Sequence, residues 1–434
     1  MINRIKSYFL TIAISLTSTT VTAQDLEAIY QQVLQADPRL LIESLNVGVV
    51  VAREKQAFGA LLPQVSITSS WTENKQEPKG LSRESFQGER YIFSVNQPLI
   101  DMEKYYSWEQ QKDVVRQYEF YEKHQHSLVK KDTIERYFRL LNAQDYLAII
   151  REERAATEKK VQQIKMLYEM QRVKVTEFYE VRARLDMMES KEIDAIQAVD
   201  LAKGGLRELT NRPVEFISPL IQTVGFIQPV KGIDEWLKTS IEQNYTLMAL
   251  RKAIDAAKLN IEKKKAGHYP VLAIQMSKQK SDIGYESSSS VPTISEVAGI
   301  NLSIPLYTGG RTSAFTEEAY KQLGLVQAEY DSEKRLITKD LRDSFSGVNA
   351  VVRRIEAADK ARESAGKSYQ AMNRSFELGI ATVSEVLDVQ KQYSEVKQAY
   401  LTAKYEYILL KAKLLHVSGR LNNEAFYNIC KWLL

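Results

Sequence analysis

The 434-residue sequence contains a single cysteine, Cys430. One cysteine excludes an intrachain disulfide framework and a multi-cysteine zinc site. No apolar run reaches the roughly 18 residues that a membrane-crossing helix needs, so helical spans are not expected. Charge of one sign is also not in excess. Lys plus Arg number 59 and Asp plus Glu 55, a net +4, too small to indicate a nucleic-acid binder. Proline is scarce and unevenly placed: of ten, none lies between Pro98 and Pro213 and none after Pro305. Residues 101–203 lack glycine as well. Proline breaks a helix by about 3 kcal/mol and glycine by about 1 kcal/mol. A stretch without either, rich in Glu, Lys, Gln, Leu and Tyr, predicts a very long helix over about 104–168. At about 1.5 Å per residue it would reach roughly 95 Å. Residues 311–418 behave alike, interrupted only by Gly324, Gly347, Gly366 and Gly379.

Catalytic signatures are missing too. The four histidines are His124, His126, His268 and His416. His124 and His126, two apart on a helix, point to different faces and do not form an i,i+4 metal pair. Neither a GxGxxG nor a GxxxxGK[ST] phosphate loop is present, and the serines lack a nucleophile-elbow context. The chain is therefore not expected to be an enzyme or to carry a cofactor or metal.

The N-terminus has a short basic region (Arg4, Lys6), an apolar stretch from Tyr8 to Leu16, and Val21-Thr22-Ala23. This order predicts a secretory signal peptide over residues 1–23. Further on, Val386, Val389, Tyr393, Val396, Tyr400, Ala403, Tyr407, Leu410 and Leu414 alternate spacings of three and four, a coiled-coil seam. Phe178, Val181, Leu185, Met188, Glu192, Ala195, Val199, Ala202 and Leu206 repeat that spacing 208 residues earlier, with one polar exception. Pro63 and Pro270 are 207 residues apart, in Leu61-Leu62-Pro63-Gln64-Val65 and His268-Tyr269-Pro270-Val271-Leu272; so are Pro98 and Pro305. Landmarks sharing one offset predict a tandem repeat. The first unit covers 24–230 and the second 231–434, each ordered helix, strand, strand, long helix, helix.

The strands alternate. Val65, Ile67, Ser69 and Trp71 oppose Gln64, Ser66, Thr68 and Ser70; Tyr91, Phe93, Val95 and Leu99 oppose Ser94 and Asn96. Leu272, Ile274 and Met276 oppose Ala273 and Gln275; Ile300, Leu302, Ile304 and Leu306 oppose Asn301 and Ser303. One apolar and one small polar face is the outer-membrane strand pattern, and also that of a half-solvated sheet. Long polar loops are expected over 72–89 and 279–296. Four strands cannot close a membrane barrel, so several chains would have to share one. Trp71, Tyr91 and Phe93 fit an interfacial aromatic girdle or simple packing on a sheet.

These residues resemble the TolC family of outer-membrane efflux and secretion channels over nearly the whole chain after the signal peptide. The resemblance is carried by Asn301-Leu302-Ser303-Ile304-Pro305-Leu306-Tyr307-Thr308-Gly309-Gly310, by Gly267-His268-Tyr269-Pro270, by Leu378-Gly379 leading to Glu385-Val386-Leu387-Asp388, and by Arg136-Tyr137-Phe138-Arg139-Leu140-Leu141-Asn142-Ala143. It implies a mainly α fold with a β-barrel portion: a long coiled-coil barrel, four membrane strands per chain and a shared 12-stranded barrel in a homotrimer. A small mixed equatorial region around 205–240 and the C-terminus is part of that expectation. The implied role is an outer-membrane exit duct reaching into the periplasm, in an efflux pump or type I secretion system. The implied partners are a periplasmic adaptor (membrane fusion) protein, an inner-membrane transporter and outer-membrane lipid, with no nucleic acid. The alternative is a structural or adhesive surface coiled coil without a pore.

The resemblance also assigns sites. Glu177, Glu385 and Asp388 match acidic positions that ring the periplasmic entrance; by the residues alone, Glu177 and Glu385 read first as first-turn acids complementing helix dipoles. Gln171, Arg172, Lys174 and Gly379 match the helix turns that contact the adaptor. Pro63, Pro98, Pro270 and Pro305 mark strand–helix junctions. Two departures stand out. Ala381 and Phe376 replace an arginine and a tyrosine that often hold the entrance shut, and Gln171 stands where glycine is common. Pairs of Arg172 or Lys174 with the acidic ring are the expected substitute lock.

Overall fold

The computed structural model of the protein describes residues 25–76, 84–214, 216–221, 224–283 and 293–433. The expected signal peptide over residues 1–23 lies outside them. The element order is α1 (Leu26–Ala36), α2 (Pro38–Gly59), β1 (Gln64–Gln76), β2 (Glu84–Ile100), α3 (Met102–Glu169) and α4 (Val175–Thr210), and then the same kinds of element again. The second series is α5 (Ile233–Gln243), α6 (Tyr245–Lys265), β3 (Val271–Ile283), β4 (Thr293–Ser303), α7 (Arg311–Glu377) and α8 (Val383–Val417), followed by a short α9 (Asn423–Cys430).

α3 runs 68 residues and α7 runs 67, each about 100 Å at about 1.5 Å per residue. The proline- and glycine-free stretch thus holds one continuous helix from just after the sheet to the far tip, and beyond the turn at 170–174 most of the returning α4. Asp101 starts α3 by accepting the Lys104 N–H at 3.1 Å. Pro38 and Asp37 separate α1 from α2: proline occupies the first turn and the Asp37 carboxylate accepts the Arg39 N–H at 2.9 Å. No residue of either heptad stripe is exposed. The polar exception, Glu192, faces Arg151 (2.9 Å) and Arg154 (2.8 Å) of α3.

The four strands form one antiparallel sheet in the order β1-β2-β3-β4. Its register places Val65, Ile67 and Trp71 beside Val95, Phe93 and Glu89, and Met276 and Ile274 beside Ala298 and Ile300. That face carries the apolar side chains and they are exposed, Ile67 at 76 % and Ile300 at 71 %. The other face is polar, with Ser66 and Ser94 hydroxyls 2.8 Å apart. Trp71 donates its indole N–H to the Tyr91 hydroxyl at 3.2 Å, edge to face, near the loop end of the apolar face. An exposed apolar face with a polar reverse suits a sheet with lipid on one side and a lumen on the other. Among the described residues no helix is long and apolar enough to cross a membrane.

The strands are longer than the sequence pattern indicates. β1 continues to Gln76, β2 begins at Glu84, β3 continues to Ile283 and β4 begins at Thr293, so most of the two expected loops is strand. Mostly polar residues occupy these extensions, which weakens the alternation while the backbone ladder continues. What remains of those loops, 77–83 and 284–292, lies outside the described residues. Pro63 and Pro270 directly precede β1 and β3, and Pro305 follows β4 by two residues. Pro98 sits inside β2, opposite Ala273 and beside a register shift. Its missing N–H is tolerated there because β1 has already ended, its last partner being Asn96.

The helices form a row. α2 packs on α3, α3 on α6 and α6 on α7 near the sheet; further away the order is α4, α3, α8, α7. The main core lies halfway along α3, where Tyr137 and Phe138 are fully buried with Tyr407, Phe426 and Leu26. Here α5 and α9 wrap the helices, and a bridge joins Leu220 to Leu433. Cys430 is half-buried in this region, and burial pushes its thiol up to about 12, so it is unreactive.

Candidate functional site

The two helix turns furthest from the sheet share a backbone design. At the end of α3, the Gln171 and Arg172 N–H groups donate to the Tyr168 and Leu167 carbonyls, both at 2.8 Å. At the end of α7, the Gly379 and Ile380 N–H groups donate to the Phe376 and Ser375 carbonyls at 3.0 and 2.9 Å. Each is a Schellman ending, which needs a left-handed residue. Gly379 supplies it with φ +74°. Gln171 adopts φ +60°, a conformation that costs a residue with a Cβ about 1 kcal/mol or more.

The returning helices start differently. Thr382 caps α8 in a full capping box: its hydroxyl accepts the Glu385 N–H at 3.3 Å, and the Glu385 carboxylate accepts the Thr382 N–H at 2.8 Å. The Thr382 hydroxyl also donates to that carboxylate at 2.9 Å, and the two bonds it accepts hold the exposed Glu385 carboxyl below its ordinary value, the backbone one contributing most. α4 has Lys174 as its N-cap, with no side-chain cap bond. Glu177 occupies on α4 the place Glu385 occupies on α8, three residues after the cap. Asp388 lies one turn further along α8 and is exposed.

A cleft of about 650 Å³ separates the two turns. Glu177, Arg172, Gly379, Phe376 and Ala381 line it, with the half-exposed or more exposed Met166 and Met170. Gln171, Lys174, Glu385 and Asp388 lie around it rather than in its wall. Beneath is a small core of Ile164, Val181, Val383 and Leu387, separate from the main one. So little buried apolar area leaves the tip less buttressed than the middle of the helices.

What joins the two hairpins is a polar seam that the sequence did not reveal. Ser384 donates to Glu180 at 2.6 Å, Gln390 donates to the Glu153 carbonyl and the Thr157 hydroxyl at 3.1 Å each, and Lys397 pairs with Glu152. Tyr405 donates to Asp145 at 2.5 Å. The Lys160 ammonium stands 4.1 Å from the centre of the Phe376 ring, a cation–π contact. The side chains alternate along α3 and α8 with no sequence marker of pairing, so only the packed helices expose the seam. A small-residue or capping signal was available at one point: Thr382-x-x-Glu385 is a capping-box sequence.

Among the described residues no group of three or more His, Cys, Asp or Glu side chains is arranged to hold a metal ion. The site is thus two turns, a cleft, acids at two helix starts and a polar seam.

Comparison with known proteins agrees. The family model for outer membrane efflux proteins matches residues 236–420. The outer membrane protein TolC of Vibrio cholerae is 27 % identical over 424 residues, covering 96 % of this chain and 95 % of that one. The alkaline protease secretion protein AprF of Pseudomonas aeruginosa is 25 % identical over 410 residues, covering 91 % and 84 %. In fold, the solved outer membrane protein VceC of Vibrio cholerae matches with a TM-score of 0.78 at 14 % identity, over 91 % of this chain and 96 % of that one. Over nearly its whole length the chain is thus similar to the TolC outer-membrane proteins, and its second half matches the outer membrane efflux protein family.

Proposed function

We propose that this protein is the outer-membrane exit duct of an efflux pump or type I secretion system, and that three copies build it. The observation that carries the reading is the exposed apolar face of a four-stranded sheet whose two edge strands are free. β1 and β4 end the sheet, α2 and α7 end the upper helix row, and α4 and α7 end the lower one. At every level the two edges come from different elements, so copies join head to tail and close into a ring. Three sheets of four strands make a 12-stranded barrel without edges, which lipid requires.

In this reading the helices continue the barrel as a tube through the periplasm. The tip is its entrance, and Glu177, Glu385 and Asp388 of three copies ring it with nine carboxylates. Such a ring attracts cations and repels anions. The cleft and its turns, with Gln171, Arg172, Lys174 and Gly379, receive a periplasmic adaptor that delivers cargo from an inner-membrane transporter. Opening spreads the hairpins along the polar seam.

The test is single-channel conductance of the detergent-purified protein in a planar bilayer. Small cation-selective currents are expected, with selectivity lost in the triple substitution Glu177→Ala, Glu385→Ala, Asp388→Ala. Unchanged selectivity in the triple variant would remove the acidic ring from the mechanism.

A further inference from the structure

Halfway along the helices lies a pocket of about 670 Å³ between α1, α3, the start of α6 and α9. Its size is that of a small-molecule site. Lys130 lines it and is only 9 % exposed. Its ammonium donates to the Asn423 side-chain oxygen at 2.6 Å. Among the described residues no carboxylate pairs with it, and the Tyr30 ring, 5.9 Å away, gives only a marginal cation–π contact. A buried ammonium without a counter-charge is costly. Burial accordingly holds it below its ordinary value.

His126 and Lys123 lie one and two turns earlier on the same face of α3 and open onto the same pocket. Glu424, at the mouth, is the one acid in the lining. Tyr30, Tyr245 and Tyr427 add aromatic faces and hydroxyls, and Asn422 and Asn423 add amides. No lining residue comes from α2, α4 or α7, the elements at the free edges of the chain. The pocket therefore stays open when copies close into a ring.

We propose that this pocket binds the carboxylate of a peptide-sized ligand, with the Lys130 ammonium as its counter-charge and the tyrosines packing its body. Lys123 completes the cationic side, and the His126 ring adds a hydrogen-bonding group. The pocket stands about 30–40 Å below the sheet, from the roughly 1.5 Å rise along α3. Carboxylates reach that depth as free small acids or as stem peptides of cell-wall fragments; the experiment separates the two.

The detergent-purified full chain is titrated calorimetrically with sodium acetate and with soluble disaccharide–tetrapeptide wall fragments. Melting curves are recorded with and without each probe. Saturable binding of the wall fragment at least tenfold tighter than acetate assigns the peptide carboxylate; equal affinities assign small acids instead and overturn the peptide-sized ligand. Lys130→Met, which keeps the chain length and removes the charge, is expected to melt no lower than the parent and to bind at least tenfold more weakly. The exposed Lys123→Ala leaves the fold untouched and is expected to weaken binding severalfold. The proposal is overturned if neither probe binds, or if Lys130→Met binds as well as the parent. Neither outcome touches the duct reading, whose conductance does not depend on this pocket.

Discussion

Gln171 is the place where the two repeats differ most in backbone cost. It holds a left-handed conformation with φ +60°, where its counterpart is Gly379 with φ +74°. Replacing Gln171 by glycine relieves about 1–2 kcal/mol of steric strain. It also loosens the unfolded chain, which takes back about 0.4–1 kcal/mol. The net expectation is about 0.5–1 kcal/mol of local stabilisation, a two- to fivefold change in an opening equilibrium. The reporter is hydrogen exchange at the Gln171 position and Arg172, whose N–H groups close the turn onto Tyr168 and Leu167 at 2.8 Å. Both amides are expected to exchange two- to fivefold more slowly in Gln171→Gly. The reciprocal Gly379→Gln is expected to speed exchange at Ile380 by a similar factor. Faster exchange in the first variant, or none in the second, refutes the assignment of strain to φ.

Three other expectations follow from the same structure. Thr382→Ala removes the cap of α8 and is expected to destabilise its first turn by about 1 kcal/mol; NMR titration should show the Glu385 carboxyl rising back toward its ordinary value once the hydroxyl bond that lowers it is gone. His416 is buried beside His124 and Lys131, and burial, with those neighbours, lowers its imidazole to about 3. Its neutral form therefore stabilises the fold above about pH 6.5. That contribution falls by up to about 1.4 kcal/mol per pH unit as pH drops toward 3, because the unfolded state binds the proton first. His416→Gln is expected to flatten the acid limb of a melting-temperature profile, and an unchanged slope would count against it. Ile67, on the apolar sheet face, is expected to tolerate Val in membrane-insertion assays. Lys there is expected to cost about 2–4 kcal/mol, so equal insertion of Ile67→Lys would place that face away from lipid.

The long helices were legible because they rest on an absence. With no proline or glycine from 101 to 203, nothing interrupts the hydrogen-bond ladder until the turn at 170. Two strand starts were legible for a similar reason, since Pro63 and Pro270 directly precede β1 and β3. The strand ends were not: from Thr72 to Gln76 both faces are polar, and alternation disappears where lipid no longer demands it. The left-handed turn at Gln171 was visible only as a position that matches Gly379, since glutamine itself carries no turn signal. The pocket around Lys130 was invisible. Its lining joins residues 30, 130, 245 and 423, which only the wrapping of α1 and α9 around α3 brings together.

The central claim is that one chain supplies a third of a membrane barrel. It is tested most directly by light scattering of the detergent-purified protein, with the detergent contribution subtracted. A mass of three chains that precipitates when detergent is removed is the predicted result. A monodisperse single chain that stays in solution without detergent would contradict it, because the exposed apolar face of the sheet would then have no lipid to meet.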